Sequence, residues 1–147
     1  AARSADNDLV IIARTDSRAV YDLDEAIKRG EAYVDAGADI LFIEAPESTE
    51  ELKTISTHFK NIHLFANMVE GGKTPILKSS ELKELGFKIV VYPLTGLFSS
   101  VYSLQKSYKY LLENSTADKY SEMINFKEFE DLIDLEFYKA LENKIKT

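Results

Sequence analysis

The sequence predicts an α/β fold of four successive β-then-α units, with parallel strands, followed by a helical C-terminal segment. Three observations carry this reading. Short apolar, β-branched-rich runs recur along the chain, each followed by a longer stretch with helical spacing. No Gly-rich phosphate fingerprint follows any run, so a dinucleotide-binding sheet has little support. Polar residues gather just beyond the runs, at the ends where parallel α/β sheets meet their ligands. Two architectures fit: a doubly wound sheet, or half of the eight strands that close a (β/α) barrel.

The elements follow in order. Leu9-Val10-Ile11-Ile12-Ala13 reads as a strand buried on both faces. Residues 23–36 follow as a helix, with Leu23, Ala26, Ile27, Ala32, Tyr33 and Ala36 on one face, Asp22 or Asp24 as cap and Gly37 as stop. Ile40-Leu41-Phe42-Ile43 is the second strand. Thr49–Phe59 is the second helix, with a capping box expected at Ser48 and Glu51. His63-Leu64-Phe65-Ala66 is the third strand, and Lys78–Leu85 a short helix closed by Gly86. Ile89-Val90-Val91-Tyr92 is the fourth strand, followed by a long helix over Leu97–Glu113. The tail, Tyr120–Lys146, reads as further helix interrupted near Asn125. Each helix returns the chain to the same end of the sheet, which makes the strands parallel.

Composition narrows the function. Of 147 residues, 45% are hydrophobic and 29% charged, the balance of a globular chain with a core. The longest apolar runs are too short to span a bilayer, so no membrane role is expected. A net charge of −7 argues against a broad basic face for nucleic acid. The absence of cysteine excludes disulfides, thiolate metal ligands and a Cys nucleophile in this chain, and fits a cytoplasmic protein. The chain opens on Ala1-Ala2-Arg3-Ser4 without Met, so the expectation is a start within a longer protein.

The strand ends carry the chemistry. They offer Arg14-Thr15-Asp16, then Glu44-Ala45-Pro46, then Asn67 with Glu70-Gly71-Gly72, then Tyr92-Pro93-Leu94-Thr95. Arg14 suits bidentate binding of a carboxylate or phosphonate. Glu44 and Glu70 suit a metal-bound water or proton transfer. Plainer readings stand beside these. Arg14 has Asp16 and Glu44 as obvious ion-pair partners, Glu44 can cap a loop, and Asn67 and Gly71-Gly72 can serve a turn. His58 and His63 lack ligand spacing and read as structural or surface residues. Tyr102, Tyr108 and Tyr110 read as packing residues.

Four stretches then point to a family: IIARTDSRAV, DEAIKRGEAYVDAGADILFIEAPES, NMVEGGKTPILKSSELKELGFKIVVYPLTGLF and NFKEFEDLIDLEFY. In order and spacing they resemble the second half of the isocitrate lyase/phosphoenolpyruvate mutase superfamily. The NMVEGGKTP form is most similar to the carboxyphosphonoenolpyruvate mutase (carboxyvinyl-carboxyphosphonate phosphorylmutase) and petal death protein branch, which includes alkylmalate lyases.

The resemblance implies the second half of a (β/α)8 TIM-type barrel plus C-terminal helices. Residues 1–147 then form a single partial barrel domain, with four β-α units over 1–113 and a C-terminal helical segment over 114–147. That segment is implied to be exchanged between subunits of a homotetramer. The implied chemistry is that of a Mg2+-dependent lyase or mutase. It cleaves or forms a C–C or P–C bond next to an enolate, in a small 2-oxo, 2-hydroxy or phosphono dicarboxylate. Arg14 resembles the arginine that binds a substrate carboxylate, Glu44 the glutamate near the metal and its waters, and Asn67 the substrate-binding asparagine. Glu70 and Thr95 fall in site motifs.

The departures are also informative. The aspartates that hold Mg2+ and a gating loop with Lys, Cys, Gly and His belong to the first half of these barrels, and nothing here matches them. No metal ligand is therefore expected in this chain, the N-terminal barrel half is required, and this half alone is expected to be inactive. Phe98 and Phe126 stand where 2-methylisocitrate lyases carry arginines for an extra carboxylate, which disfavours tricarboxylates. Two alternatives remain. One is oxaloacetate hydrolysis or decarboxylation within the same superfamily. The other is a non-catalytic assembly module acting through the apolar stripe Phe126, Phe129, Leu132, Ile133, Phe137, Leu141 and Ile145.

Overall fold

The computed structural model of the chain describes residues 1–145. In chain order the elements are α1 (Ala2–Ala5), β1 (Ile12–Thr15), α2 (Ser17–Val20), α3 (Leu23–Asp35), β2 (Ile40–Ile43), α4 (Thr49–His58), β3 (His63–Asn67), α5 (Ser79–Leu85), β4 (Phe87–Val91), α6 (Thr95–Asn114), α7 (Phe126–Leu132) and α8 (Leu135–Ile145). Two compact units result, Ala1–Leu97 and the residues from Phe98 onward.

In the first unit the strands pair in sequence order, β1-β2-β3-β4, and every pairing is parallel. This is the succession that β-then-α repeats impose, because each helix carries the chain back to the starting end. The register between β3 and β4 shifts at Leu64/Phe65. β2 is buried along its whole length, as an apolar strand in the interior of a parallel sheet must be. Leu41 and Ile43 of β2 share one buried core cluster with Ala26 of α3, Leu52 and Ile55 of α4, Leu64 and Ala66 of β3, Leu82 of α5, and Phe59, Met68 and Phe87.

Caps fix where the helices sit. Asp22 accepts the Glu25 amide at 2.8 Å and so opens α3. Gly37 and Gly86 follow α3 and α5 at φ of 94° and 103°, a left-handed turn that a side chain would strain. Ser48 accepts the Glu51 amide at 3.1 Å. The capping box expected there is only half formed, because the Glu51 carboxylate takes the Glu47 amide and Arg18 instead of reaching back to Ser48.

The first strand differs from expectation. It starts at Ile12, and Leu9 and Val10 lie outside it, exposed at 52% and 65%. Pairing with β2 begins at Ile12, and the Ile11 carbonyl accepts the Asp39 and Ile40 amides. β1 is an outer strand of the sheet, paired on one edge, and of its four residues only Thr15 is buried. The fourth strand likewise runs over Phe87–Val91 rather than to Tyr92, whose hydroxyl donates to the Leu77 carbonyl at 3.1 Å.

In the second unit the tail also differs from expectation. Tyr120–Asn125 is not helical, and Asn125 opens α7 as its cap rather than interrupting a helix. Its side chain accepts the Glu128 amide at 3.0 Å, and the Glu128 carboxylate accepts the Asn125 amide at 2.8 Å. A short polar side chain favours this start over a helix interior. The break falls instead between α7 and α8, where Asp134 takes φ +52°. Lys146 lies outside the described residues. The apolar stripe is exposed, from 41% at Ile133 to 88% at Phe126. Among the described residues no helix is long and apolar enough to cross a membrane.

Candidate functional site

Arg14, Glu44 and Asn67 come from three adjacent strands. Arg14 pairs with Phe42 in the β1–β2 register. Beyond Ile43, the Glu44 amide donates to the Thr15 carbonyl at 3.0 Å, carrying the pairing one residue past the strand. Asn67 ends β3 opposite Val91 rather than sitting in a turn. Parallel strands in this register deliver their C-terminal side chains to one edge of the sheet.

The Arg14 guanidinium is anchored on two sides. Its Nε and Nη2 donate to Asp16 at 3.0 and 2.7 Å. It stacks 4.8 Å above the Phe42 ring, which itself lies 4.6 Å from Phe65. Nη2 also lies 3.7 Å from Glu44 Oε2, an ion pair rather than a hydrogen bond. The same Glu44 oxygen accepts Asn67 Nδ2 at 3.4 Å. Asn67 Oδ1 is buried with no partner among the described residues, and an orphaned buried acceptor is costly unless a donor reaches it. The Asp16 hydrogen bond raises the already high pKa of Arg14 and holds the Asp16 carboxyl below its ordinary range.

Glu70 and Thr95 form a separate pair. The Thr95 hydroxyl donates to Glu70 Oε1, and the Leu94 amide donates to Oε2 at 3.1 Å. These bonds, the Thr95 hydroxyl foremost, hold the Glu70 carboxyl below its ordinary range. No hydrogen bond or ion pair among the described residues joins this pair to the Arg14–Glu44–Asn67 set.

His58 bonds Glu31 at 2.8 Å, and His63 starts β3, both away from this edge. A cavity of about 350 Å3 is lined by Glu31, His58, Phe59 and Lys60. It lies where β3 begins, not where the strands end. Among the described residues no group of three or more His, Asp or Glu side chains is placed to hold a metal. Glu44 stands as a single carboxylate committed to Arg14 and Asn67. It fits a role toward waters on a metal, and the described residues do not supply a complete coordination set.

The sequence reading missed two supports of the site. One is the Phe42–Phe65 shelf under Arg14, which the parallel register alone brings together. The other is an ion network of Arg18, Glu47, Glu51 and Lys73, whose sequence signal was the Glu47/Glu51 pair four residues apart, facing an arginine just past Asp16.

Known proteins agree with this architecture. The petal death protein of Dianthus caryophyllus is 42% identical over 149 residues, covering 99% of this chain and 46% of that protein. A crystal structure of 2,3-dimethylmalate lyase, a phosphoenolpyruvate mutase/isocitrate lyase superfamily member, superposes with a TM-score of 0.87 at 28% identity, over 98% of this chain and 51% of that one. A crystal structure of phosphonopyruvate hydrolase, in complex with oxalate and Mg2+, gives a TM-score of 0.80 at 23% identity, over 99% and 53%. The chain spans about half the length of the relatives it matches.

Parallel β-α units with this fold place the chain among the (β/α)-barrel proteins. Residues 1–112 match the phosphoenolpyruvate phosphomutase family. The chain belongs to that family, and with it to the isocitrate lyase/phosphoenolpyruvate mutase superfamily.

Proposed function

We infer that the whole protein containing this chain is a Mg2+-dependent lyase or mutase of this superfamily. Its substrate is a small 2-oxo, 2-hydroxy or phosphono dicarboxylate, in which a C–C or P–C bond next to an enolate breaks or forms. The observation that carries this reading is the Arg14–Glu44–Asn67 set at three adjacent strand ends. Arg14 Nη1 bonds none of the described residues, and the side chain is 47% exposed, so this edge of the fork is open to a substrate carboxylate or phosphonate. Glu44 orients water or moves a proton between reacting atoms. Asn67 offers Oδ1 to a donor on the substrate, and Glu70 with Thr95 completes the substrate contacts.

When bound, Mg2+ supplies stabilisation of the developing enolate oxygen. Its ligands are assigned, on the family resemblance, to the N-terminal barrel half. A homo-oligomer with exchanged C-terminal helices is the assembly favoured by the exposed stripe of α7 and α8, and the cytoplasm is the compartment favoured by a cysteine-free chain. The resemblance aligns Phe98 and Phe126 with arginines that serve an extra carboxylate in 2-methylisocitrate lyases, which argues against tricarboxylate substrates.

The test is a turnover panel on the full-length protein with Mg2+: alkylmalates, oxaloacetate, phosphonopyruvate and 2-methylisocitrate. Cleavage of an alkylmalate or rearrangement of a phosphonate supports the reading. Turnover of oxaloacetate alone selects the hydrolase or decarboxylase alternative. Turnover of none sinks the enzyme reading and favours an assembly module.

A further inference from the structure

The loops after β1, β2 and β3 are tied together by ionic contacts that the site does not use. Arg18, in α2, forks onto Glu51: Nε donates to Oε2 at 2.9 Å and Nη2 to Oε1 at 2.8 Å. Nη2 also lies 3.1 Å from Glu47 Oε2. Glu51 Oε2 takes in addition the Glu47 amide at 2.8 Å. Lys73 reaches the other Glu47 oxygen at 3.2 Å. The Arg18 and Glu51 side chains are only 17% and 22% exposed, unlike the surface pair of Arg29 and Glu25 at 41% and 32%.

The position of this network matters. Arg18 lies two residues past Asp16, the anchor of Arg14. Glu47 lies three residues past Glu44, and Lys73 three past Glu70. Backbone pairing between the first two segments ends at the Glu44 amide on the Thr15 carbonyl. Beyond that bond, Arg14 and Glu44 approach only to 3.7 Å, too far to fix their separation. The residue after Glu44, Ala45, sits at φ +57°, a strained conformation for alanine that its surroundings must hold. The next firm link between the two loops is the Arg18–Glu51 fork.

We propose that Arg18 and Glu51 are positioning residues, a latch that sets the distance between Glu44 and Arg14 in the reaction assigned above. Arg14 is fixed in β1, paired with Phe42 and held by Asp16 just past the strand, so loosening the latch displaces Glu44 and leaves Arg14 in place. The loss therefore falls on kcat rather than KM. This inference rests on the functional reading for its kinetic form, and on geometry alone for its structural form.

The experiment compares full-length wild type, Glu51→Ala, the isosteric Glu51→Gln and the surface control Glu25→Ala. Kinetics are measured on whichever panel substrate turns over, and folding by thermal unfolding. The latch predicts that Glu51→Ala lowers kcat about 10-fold or more, with KM within about threefold, because a displacement of about 1 Å is enough for such losses. Glu51→Gln keeps one carbonyl oxygen to accept from Arg18 Nε and the Glu47 amide but puts an NH2 donor where the other oxygen accepted Nη2, so it recovers part of that loss, and Glu25→Ala behaves as wild type. Should Glu51→Ala fail to fold, Arg18→Lys, which keeps the charge but not the fork, takes its place under the same thresholds. Unchanged kcat, a loss confined to KM, or no recovery in Glu51→Gln overturns the proposal.

If the wild type turns over nothing, the functional reading fails, and amide exchange decides the latch. Exchange of the Glu44 amide about 10-fold faster in Glu51→Ala, with the Met68 amide unchanged, supports it. Equal exchange overturns it.

Discussion

The Nη2 of Arg14 stands 3.7 Å from Oε2 of Glu44, although the two residues are thirty positions apart on neighbouring strands. A cation and a carboxylate at this separation attract without locking together, and the Nη1 edge of Arg14 stays open to a ligand. The approach depends on groups that hold each partner separately: Asp16 and the Phe42 ring for Arg14, Asn67 for Glu44.

Removing the Arg14 anchor separates function from stability. The Arg14–Asp16 pair is solvent-exposed, with side chains at 47% and 60%, so Asp16→Ala should change unfolding free energy by only about 0–1 kcal/mol. A mis-aimed guanidinium is expected to lower kcat/KM in the full-length protein about 10-fold. Parallel denaturant melts and steady-state kinetics check both halves of the prediction.

Stability should fall in acid, partly through Glu51. The Arg18 fork, more than the Glu47 amide, holds the Glu51 carboxyl below its ordinary range, against the opposing effect of burial. A folded pKa below the unfolded one contributes stability above about pH 4.5, which is lost as pH drops through the lower folded value. Glu51→Gln should therefore be less stable than wild type near neutrality and show a shallower loss of stability from pH 5 down to pH 3, conditions to be set in melts followed by circular dichroism. A wild-type slope that Glu51→Gln leaves unchanged would contradict this.

The core offers a steric test at Gly30. A Cβ there would meet Phe59 Cζ at 2.8 Å and Leu41 Cδ2 at 2.9 Å. Both neighbours are buried, so Gly30→Ala should destabilise by about 1–3 kcal/mol despite alanine's better helix propensity. A chemical melt showing equal or greater stability would mean that α3 can move away from the sheet.

Much of this architecture was legible in the residues. Ile40–Ile43 reads as a buried strand and is one, because an inner parallel strand needs apolar residues on both faces. Leu9-Val10 reads the same way and is not, because hydrophobicity does not reveal which residues find a pairing partner. Arg14, Glu44 and Asn67 were visible as polar residues at strand ends, and register brings them together. Glu70 and Thr95 were visible too, but they bond each other. The Arg18–Glu51 fork was hidden because Glu51 also matched a capping box, and sequence alone cannot say whether a carboxylate turns back to its own helix or across to another loop.

By itself, the 147-residue chain should bind Mg2+ weakly and turn over none of the panel substrates. Mg2+ sites use one or two carboxylates with several waters, and Glu44 is already engaged by Arg14 and Asn67. Calorimetric titration of the isolated chain checks this. Micromolar Mg2+ affinity would place a metal site among residues assigned other roles here.

The most direct measurement is kcat/KM of the full-length Arg14→Gln variant relative to wild type, on whichever panel substrate the wild type consumes. Glutamine keeps hydrogen-bonding capacity but loses the charged fork, and the account predicts a loss of about 100-fold. Equal kcat/KM in the two proteins would contradict it and leave Arg14 as a structural partner of Asp16.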